Sequence, residues 1–332
     1  MPELRRDPIT HRWSIIATER ALRPKDYELS AMCPNGQFDP FSAGNEHLTP
    51  PEIFAIRPEG SPANSSDWLV RVIPNKYPAL RIEGDLEKRP HGLYDRMNGI
   101  GAHEVIIESP ESDFKLHELD HAHLVQALDT YRERMADLQG DERLKSSLLF
   151  RNHGAAAGAS VAHGHAQLIA LPVVPHHVQE LLDGAKRYFQ FHDRSVFEDI
   201  VRNELTDGTR MVEQNEHFIL AAPYASRLPF ELIIIPRFQS PRFEATDPTA
   251  MGHLATILSS ALRRLDEGLG DPSYNFVIQS APYGYEDVPW YRWHLQITPK
   301  LTNVAGFELG TGFYINPTAP EEAAAFLRGL EN

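Results

Sequence analysis

Residues 151–171, RNHGAAAGASVAHGHAQLIAL, place a run of small residues directly before a strand-like segment. Side chains two residues apart in a strand project from the same face, so His163, His165 and Gln167 are expected to share one face. The small residues from Gly154 to Ser160 allow the backbone to approach a ligand closely and to turn its N–H groups inward. The stretch therefore predicts an anion-holding loop beside a strand that presents two imidazoles and an amide.

The order of elements around this stretch occurs twice along the chain. Each half has two strand-like segments, a helix candidate and a long strand–loop–strand segment. In the first half these are 68–80, 103–110, 117–139 and 148–172. In the second half they are 217–229, 230–238, 248–269 and 274–300. When the halves are overlaid, the pairs are His163 with Arg292, His165 with His294, and Gln167 with Gln296. The shared His-x-Gln favours duplication over chance.

The repeat predicts an α+β fold of two tandem halves, 1–172 and 173–332, with mostly antiparallel sheets and helices packed on one side. A third helix candidate at 176–190 and a polar stretch near 191–216 would join the halves. The first half carries the small-residue loop and is therefore expected to carry the chemistry.

Composition narrows the class of partner and the compartment. The net charge is −14, with 46 acidic against 32 basic residues, which argues against nucleic acid or an anionic membrane as the main partner. No segment approaches the roughly 18 consecutive apolar residues of a membrane helix, and the N-terminal MPELRRDPITHRW lacks the apolar run of a signal peptide. The single cysteine, Cys33, fits a reducing compartment. We therefore expect a cytoplasmic protein that does not interact with membranes.

The loop and the strand together favour covalent catalysis on a phosphate ester. A neutral histidine attacks phosphorus and leaves again easily, and a glutamine beside it can donate to an oxygen on which charge builds. A lone histidine is more often a hydrogen-bonded structural residue. Two histidines and a glutamine on one strand face, after a glycine-rich loop, make a nucleophile at His165 the better interpretation.

These motifs resemble those of a known family. GHAQ after a small-residue loop is similar to the His-x-His-x-Gln motif of the galactose-1-phosphate uridylyltransferase branch of the histidine triad superfamily. The resemblance covers nearly the whole chain, and its other motifs are ELRRDPITHRWSIIATERALRPKD (3–26), GNEHLTPPEIF (44–54), VIPNKYPAL (72–80), HEVIIESP (103–110) and GFELGTGFYINPTAPEEAA (306–324). The last segment also resembles a close relative, ADP-glucose phosphorylase. The resemblance implies two histidine-triad-like halves and a homodimer.

It also implies roles for particular residues. His165 matches the nucleophile that becomes uridylylated, with His163 beside it, and Gln167 and Ser160 match residues that hold the transferred phosphoryl group. The substrate-binding positions that the resemblance implies are Arg20 and Arg23 for phosphates, Asn75 and Asn152 for the nucleoside, and Phe307 and Glu308 for the sugar. The arginines act partly across the dimer interface in the family.

The sequence departs from the family at its two metal sites. Relatives commonly carry Cys-Pro-x-Cys before GNE, which forms a zinc site with two histidines. Here Asp39 and Ser42 take the cysteine positions, and we assign the histidines to His103 and His163. The second site is matched by Ser195, Glu198, Gln239 and Arg292. Because arginine cannot ligate a cation, we expect that site to be empty and expect no metal cofactor, although weak zinc binding by Asp39, His103 and His163 remains open.

The coordinated losses predict replacement of the metals by side-chain pairs. Glu198 and Arg292 are expected to form a charge-assisted pair, and Asp39 to accept a hydrogen bond from His103 or His163.

Three functions stay open at this point. The first is uridylyl transfer between UDP-glucose and galactose 1-phosphate by a ping-pong route through His165, which would place the protein in galactose metabolism. The second is a nucleotide-sugar or dinucleotide phosphorylase of the ADP-glucose phosphorylase kind. The third is a catalytically silent nucleotide-binding protein. The expected partners are a nucleotide sugar and a sugar 1-phosphate.

Overall fold

The computed structural model describes residues 2–20, 39–112 and 114–330. In these residues it has fifteen strands: β1 Glu3–Arg6, β2 Trp13–Ile16, β3 Phe54–Ile56, β4 Val70–Pro74, β5 Arg89–His91, β6 Tyr94–Arg96, β7 Ala102–Ile107, β8 Ser146–His153, β9 His165–Leu171, β10 Met211–Gln214, β11 Phe218–Ala221, β12 Leu232–Pro236, β13 Tyr274–Gln279, β14 His294–Pro299 and β15 Tyr314–Asn316. The α-helices of the same ranges are α1 His121–Leu138, α2 His176–His192, α3 Val196–Asp207, α4 Pro248–Leu269, α5 Gly306–Thr311 and α6 Pro320–Arg328.

One ten-stranded antiparallel sheet runs through both halves of the chain. Its order is β10-β11-β12-β14-β13-β8-β9-β7-β4-β3. The halves meet where β8 pairs with β13, with Asn152 opposite Asn275. Outward from this junction, β9, β7 and β4 follow on one side, and β14, β12 and β11 follow on the other. The matching order confirms the duplicated arrangement predicted from the repeat.

A smaller sheet ties the two ends of the described chain together. Its order is β1-β2-β15, and β15 pairs with β2 in parallel. A separate hairpin is formed by β5 and β6.

Local sequence explains where the helices begin and end. In α4 the Asp247 side chain accepts a hydrogen bond from the Ala250 N–H, Pro248 occupies the first turn, and Gly270 ends the helix at φ 73°. A left-handed cap of this kind favours glycine because it has no Cβ. The helix spans 248–269, as the apolar periodicity predicts.

The helices cover both faces of the large sheet. Leu220 and Ile234 pack into the main core with α1, α4 and α6, whereas Ile219 and Ile235 pack into a second core with α2 and α3. The α+β class and the antiparallel sheet are confirmed. The sequence predicts helices on one side of the sheet. This holds for α1, α4 and α6, whereas α2 and α3 cover the opposite face in the second half.

The connection between the halves is more helical than the sequence indicates. The predicted helix at 176–190 is α2, but the polar stretch near 191–216 contains α3, which the Ser195 side chain caps. The predicted boundary near residue 172 falls between β9 and α2. It stays a prediction, since one continuous sheet joins the halves. No helix in the described ranges is long and apolar enough to cross a membrane.

Candidate active site

His165 opens β9 at the edge of the small-residue loop and is almost fully buried, at 6% exposed. Its Nδ1 lies 2.8 Å from the His163 carbonyl oxygen. A carbonyl oxygen can only accept, so Nδ1 carries the hydrogen and donates it. The lone pair of the neutral ring is therefore on Nε2, which is the ring atom able to bond to an electrophile.

The surroundings of His165 keep its ring neutral. Burial lowers the pKa of His165 below its ordinary value of 6.5, and the hydrogen bond to His163 and the charge of Glu108 offset only part of this. The Phe41 ring packs edge-on against the imidazole, with ring centroids 5.2 Å apart. A neutral imidazole is the form that attacks phosphorus.

His163 is held by two oxygen atoms and does not project freely into the site. Its Nε2 donates to the Ser109 carbonyl oxygen at 2.8 Å, and its Nδ1 lies 2.7 Å from Asp39 Oδ2. Burial raises the pKa of Asp39, but hydrogen bonds from Ser42, His163 and the Phe41 N–H outweigh it, so the net pKa lies below its ordinary value. The predicted hydrogen bond between Asp39 and His163 is confirmed, and it positions the carbonyl that orients His165.

Gln167 is oriented by His103, which the sequence analysis assigned to a metal site. His103 Nδ1 accepts a hydrogen bond from the Ala79 N–H at 3.1 Å, so Nε2 carries the proton and donates to Gln167 Oε1 at 2.9 Å. In this tautomer Nε2 cannot accept a hydrogen bond from the Asn75 amide nitrogen, which lies 3.1 Å away. The amide oxygen of Gln167 is thereby held by His103, and its NH₂ group is left to donate elsewhere.

The residues assigned to a zinc site do not come together as one. His103 bonds to Gln167, whereas Asp39 bonds directly to His163 and accepts from Ser42 Oγ at 2.5 Å. The assignment of His103 beside Asp39 and His163 is therefore wrong, because its ring nitrogens face β9 and Ala79. The present donors do not fit a tetrahedral metal of the family's kind.

The residues that the resemblance assigns to a second metal site make different contacts from those that the sequence predicts. Ser195 Oγ donates to the Trp290 carbonyl oxygen at 3.2 Å, and Gln239 Nε2 donates to the Tyr291 carbonyl oxygen at 2.6 Å. These two hydrogen bonds join three segments of the second half.

The predicted Glu198–Arg292 ion pair is wrong. Arg292 Nη1 donates to the Pro236 carbonyl oxygen at 2.9 Å, and its buried Nε has no partner within the described ranges. Burial lowers the pKa of Arg292 to about 10, and exposed Glu198 acts on it only through its charge.

The loop between β8 and β9 is built for close approach. Gly154 has φ 78°, and a Cβ there would come within 2.1 Å of Ser273 Oγ, so only glycine fits. Asn275 Nδ2 donates to Asn152 Oδ1 at 2.7 Å and to the Ala157 carbonyl oxygen at 2.8 Å. Asn152 is thus tied to the loop, while Ser160 lies exposed near its end.

A buried ion pair beneath the site was not found from the sequence. Arg151 Nε donates to Glu108 Oε2 at 2.8 Å, with both side chains at most 1% exposed. The Tyr131 hydroxyl donates to the same carboxylate, and Arg151 Nη1 lies 3.2 Å from the Tyr274 hydroxyl oxygen. The available signal was a carboxylate at the end of the apolar run HEVIIESP, where burial demands a cationic partner.

The remaining predicted substrate contacts lie away from this cluster or outside the described residues. Phe307 and Glu308 are on α5, which packs against β15, and Glu308 Oε2 accepts from the Ala305 N–H at 3.0 Å. The structure does not bring them to β9. Arg20 ends the first described segment, and Arg23 lies outside the described residues. All four stay predictions as substrate contacts.

The second half repeats the histidine without the site around it. His294 Nδ1 donates to the Arg292 carbonyl oxygen at 3.2 Å, which is the same tautomer as His165. Burial lowers the pKa of His294 to about 4. A cavity of about 110 Å³ lies over this strand, bounded by Leu181 and Phe197 of the covering helices.

The duplicated antiparallel sheet, with a His-x-Gln strand in each half and His163 just before the first of them, defines a protein of the histidine-triad-like α+β class. Residues 1–175 match the N-terminal domain of galactose-1-phosphate uridyl transferase, and residues 182–331 match its C-terminal domain. The chain belongs to this family and is an enzyme of the nucleotidyltransferase type.

Individual relatives divide between two activities. The chain is 36% identical to the ADP-glucose phosphorylase of Arabidopsis thaliana, over 98% of this chain and 92% of that protein. It is 24% identical to the galactose-1-phosphate uridylyltransferase of Thermotoga maritima, over 100% of this chain and 99% of the relative. The crystal structure of the Arabidopsis thaliana phosphorylase with bound ADP-glucose superposes with a TM-score of 0.86 at 35% identity, covering 100% of both chains. A uridylyltransferase structure reaches 0.77 at 26% identity, covering 99% of this chain and 97% of that one.

Proposed function

We propose that the protein transfers a nucleoside monophosphate from a nucleotide sugar to Nε2 of His165 and then to an acceptor. The observation that carries the proposal is the hydrogen bond from His165 Nδ1 to the His163 carbonyl oxygen, which places the lone pair on Nε2. The buried, neutral ring is ready to attack without first losing a proton.

In the first half-reaction, His165 Nε2 forms a bond to the α-phosphorus of the nucleotide sugar. The bond from that phosphorus to the bridging oxygen breaks, and the sugar 1-phosphate leaves with the electron pair. The imidazole becomes positively charged, and the His163 carbonyl stabilises that charge through the Nδ1 hydrogen bond.

Gln167 would stabilise the charge that develops on the transferred group. Its NH₂ group is available because His103 holds the amide oxygen at 2.9 Å. Such preorganised donors are worth more in a water-excluded site than in water. His103 acts through Gln167 and is a positioning residue.

In the second half-reaction an acceptor oxygen attacks the same phosphorus, and the P–N bond to His165 breaks. We propose that the donor is ADP-glucose and the acceptor inorganic phosphate, giving ADP and glucose 1-phosphate as the overall products. The 36% identity to an ADP-glucose phosphorylase, against 24% to a uridylyltransferase, supports this choice over the uridylyl exchange that the sequence analysis placed first.

The experiment is incubation of the protein with ADP-glucose or UDP-glucose, followed by intact mass and assay of released glucose 1-phosphate. With ADP-glucose we expect one AMP equivalent on the protein and a stoichiometric burst of glucose 1-phosphate. When phosphate is then added, we expect the AMP to leave the protein as ADP. A preferential UMP adduct that galactose 1-phosphate discharges would instead establish the uridylyltransferase. No adduct and no burst with either donor would leave only a silent nucleotide-binding protein.

Homodimer formation and a cytoplasmic location remain predictions from the resemblance and the composition. Sedimentation of the purified protein tests the first, and fractionation of the source cells tests the second.

A further inference from the structure

Two histidines and a glutamate meet at the far end of the large sheet, away from His165. Glu216 and His217 lie in the turn between β10 and β11, and His253 lies near the start of α4. One ligand atom from each of the three lies within 4.8 Å of the others. In the described part of the chain this is the single group of three potential metal-ligating side chains at such distances.

The turn that carries two of these residues is held against the helix that carries the third. Asn215 Nδ2 donates to the His253 carbonyl oxygen at 2.9 Å, and Asn215 Oδ1 accepts from the His217 N–H at 3.0 Å. Arg237 Nη1 donates to the Asn215 carbonyl oxygen at 2.8 Å. These hydrogen bonds fix the backbone that carries the three side chains, which lowers the entropic cost of binding a metal.

The three side chains differ in how far they are buried. The imidazoles of His217 and His253 lie with ring centroids 4.5 Å apart and planes inclined by 33°, and both are partly buried. The Glu216 side chain is 80% exposed, with Oε2 4.0 Å from His253 Nε2. The glutamate can therefore swing towards a cation held by the two rings.

We propose that Glu216, His217 and His253 bind a divalent transition-metal ion, zinc in the first instance. Two imidazoles and one carboxylate suit zinc, whereas magnesium and calcium prefer oxygen ligands. Zinc–nitrogen bonds of about 2.0–2.1 Å place tetrahedral ligands about 3.4 Å apart, so the atoms that now lie within 4.8 Å of one another close by side-chain rotation. Water takes the fourth position.

The bound ion would join the β10–β11 turn to α4 and stabilise that corner. These strands form one end of the ten-stranded sheet, six (β10) and five (β11) positions from β9 in its order, so the site is independent of the proposed reaction. It also differs from both family metal positions, which fall at Asp39 and at Ser195 with Arg292 in this sequence.

The test uses full-length protein without a polyhistidine tag, stripped with chelator and titrated with ZnCl₂ by calorimetry. Single variants His217→Ala, His253→Ala and Glu216→Gln are compared with the exposed-histidine control His91→Ala. We expect each histidine variant to lose one equivalent of zinc or to bind that equivalent at least tenfold more weakly. Glu216→Gln should weaken binding less, and His91→Ala should match the wild type.

Thermal unfolding provides a second measurement. Zinc in excess should raise the Tm of wild type and His91→Ala, and MgCl₂ should not. The same zinc should leave the Tm of His253→Ala unchanged, while the metal-free Tm values of the variants stay close to wild type. Two results would overturn the proposal. One is unchanged zinc stoichiometry and affinity in both histidine variants. The other is no zinc binding by wild type below 100 µM, about the weakest useful affinity of such a site.

Discussion

The two His-x-Gln strands of the molecule share a sequence motif and a tautomer but differ in what surrounds them. In β9, His165 donates from Nδ1 to the carbonyl two residues earlier, and in β14 His294 does the same. The first ring lies beside the loop that begins at Gly154, whereas the second lies under α2 and α3. The same motif and the same tautomer therefore occur in two different surroundings.

The strands next to each histidine sharpen the contrast. Ala166 pairs with Arg151, which holds Glu108 beneath the first site, while the corresponding Leu295 pairs with apolar Ile278. Where His163 bonds to Asp39, the second half has Arg292 bonded to a carbonyl oxygen. The two halves therefore share the strand and the histidine, and they differ in the residues that surround it.

The largest effect is expected when each of the two histidines, His165 and His294, is replaced in turn. His165→Ala should abolish the nucleotidyl adduct and slow turnover by about four orders of magnitude or more, the scale on which loss of a covalent nucleophile acts. His294→Ala should stay within a few-fold of wild type. Intact mass after incubation with the nucleotide sugar measures the adduct, and an adduct lost only in His294→Ala would assign the nucleophile to the other half.

At the position equivalent to Arg151 the second half has apolar Ile278, so the Arg151–Glu108 ion pair belongs to the first half at this place, and it should matter for stability. Glu108→Gln leaves the Arg151 guanidinium buried without its anion, so we expect the free energy of unfolding to fall by about 3–5 kcal/mol. Urea unfolding followed by circular dichroism measures the change. A loss below about 1 kcal/mol would show that Arg151 finds another partner or water.

The two glutamines provide a matched pair. Gln167→Ala should slow nucleotidylation by roughly two to three orders of magnitude, because one donor to the developing charge is worth about 2.7–4 kcal/mol. Gln296→Ala should leave the rate almost unchanged. Single-turnover kinetics separate the two, and equal effects of both variants would remove the distinction drawn between the strands.

The pH dependence follows from the lowered pKa of His165. Since only the neutral ring attacks, the nucleotidylation rate should be flat near and above pH 6.5 and should fall about tenfold per unit once the pH drops below that lowered pKa. His294, with a pKa of about 4, should contribute nothing in this range. Single-turnover rates between pH 5 and 8 test this profile. A nucleotidylation rate that already declines as the pH falls from above 7 would contradict it.

The smallest effect is expected at Glu198, the exposed carboxylate that the sequence predicts to pair with Arg292. Glu198→Ala should change the free energy of unfolding by less than about 1 kcal/mol, because Arg292 is held by the Pro236 carbonyl oxygen. The same urea unfolding measures it. A loss near that of Glu108→Gln would mean that the charge of Glu198 stabilises Arg292 far more than its exposure suggests.

The repeat, the strand face of His165 and the bounds of α4 could be predicted from the sequence because they depend on local periodicity and caps. The orientation of Gln167 could also have been predicted. His103 lies two residues before Val105, and Val105 pairs with Gln167, so the His103 and Gln167 side chains share a face of the sheet. Family spacing pointed to a metal site instead.

Other features depend on how distant segments meet and have no local signal. Arg292 sits where a long side chain can reach either Glu198 or a backbone carbonyl, and only the packed structure chooses the carbonyl. The tautomer of His165 depends on the turn of the chain at His163. By contrast, α3 does have local signals, the Ser195 cap and Gly208 at its end, which the reading of 191–216 as a polar joining stretch passed over.

The antiparallel junction of β8 with β13 has an evolutionary consequence. Equivalent strands of the two halves pair across it, as two separate copies would in an isologous dimer with a two-fold axis. The junction therefore has the symmetry expected if two copies of one half had been fused into one chain. Two halves encoded in tandem can change independently of each other, which two identical subunits of a dimer cannot.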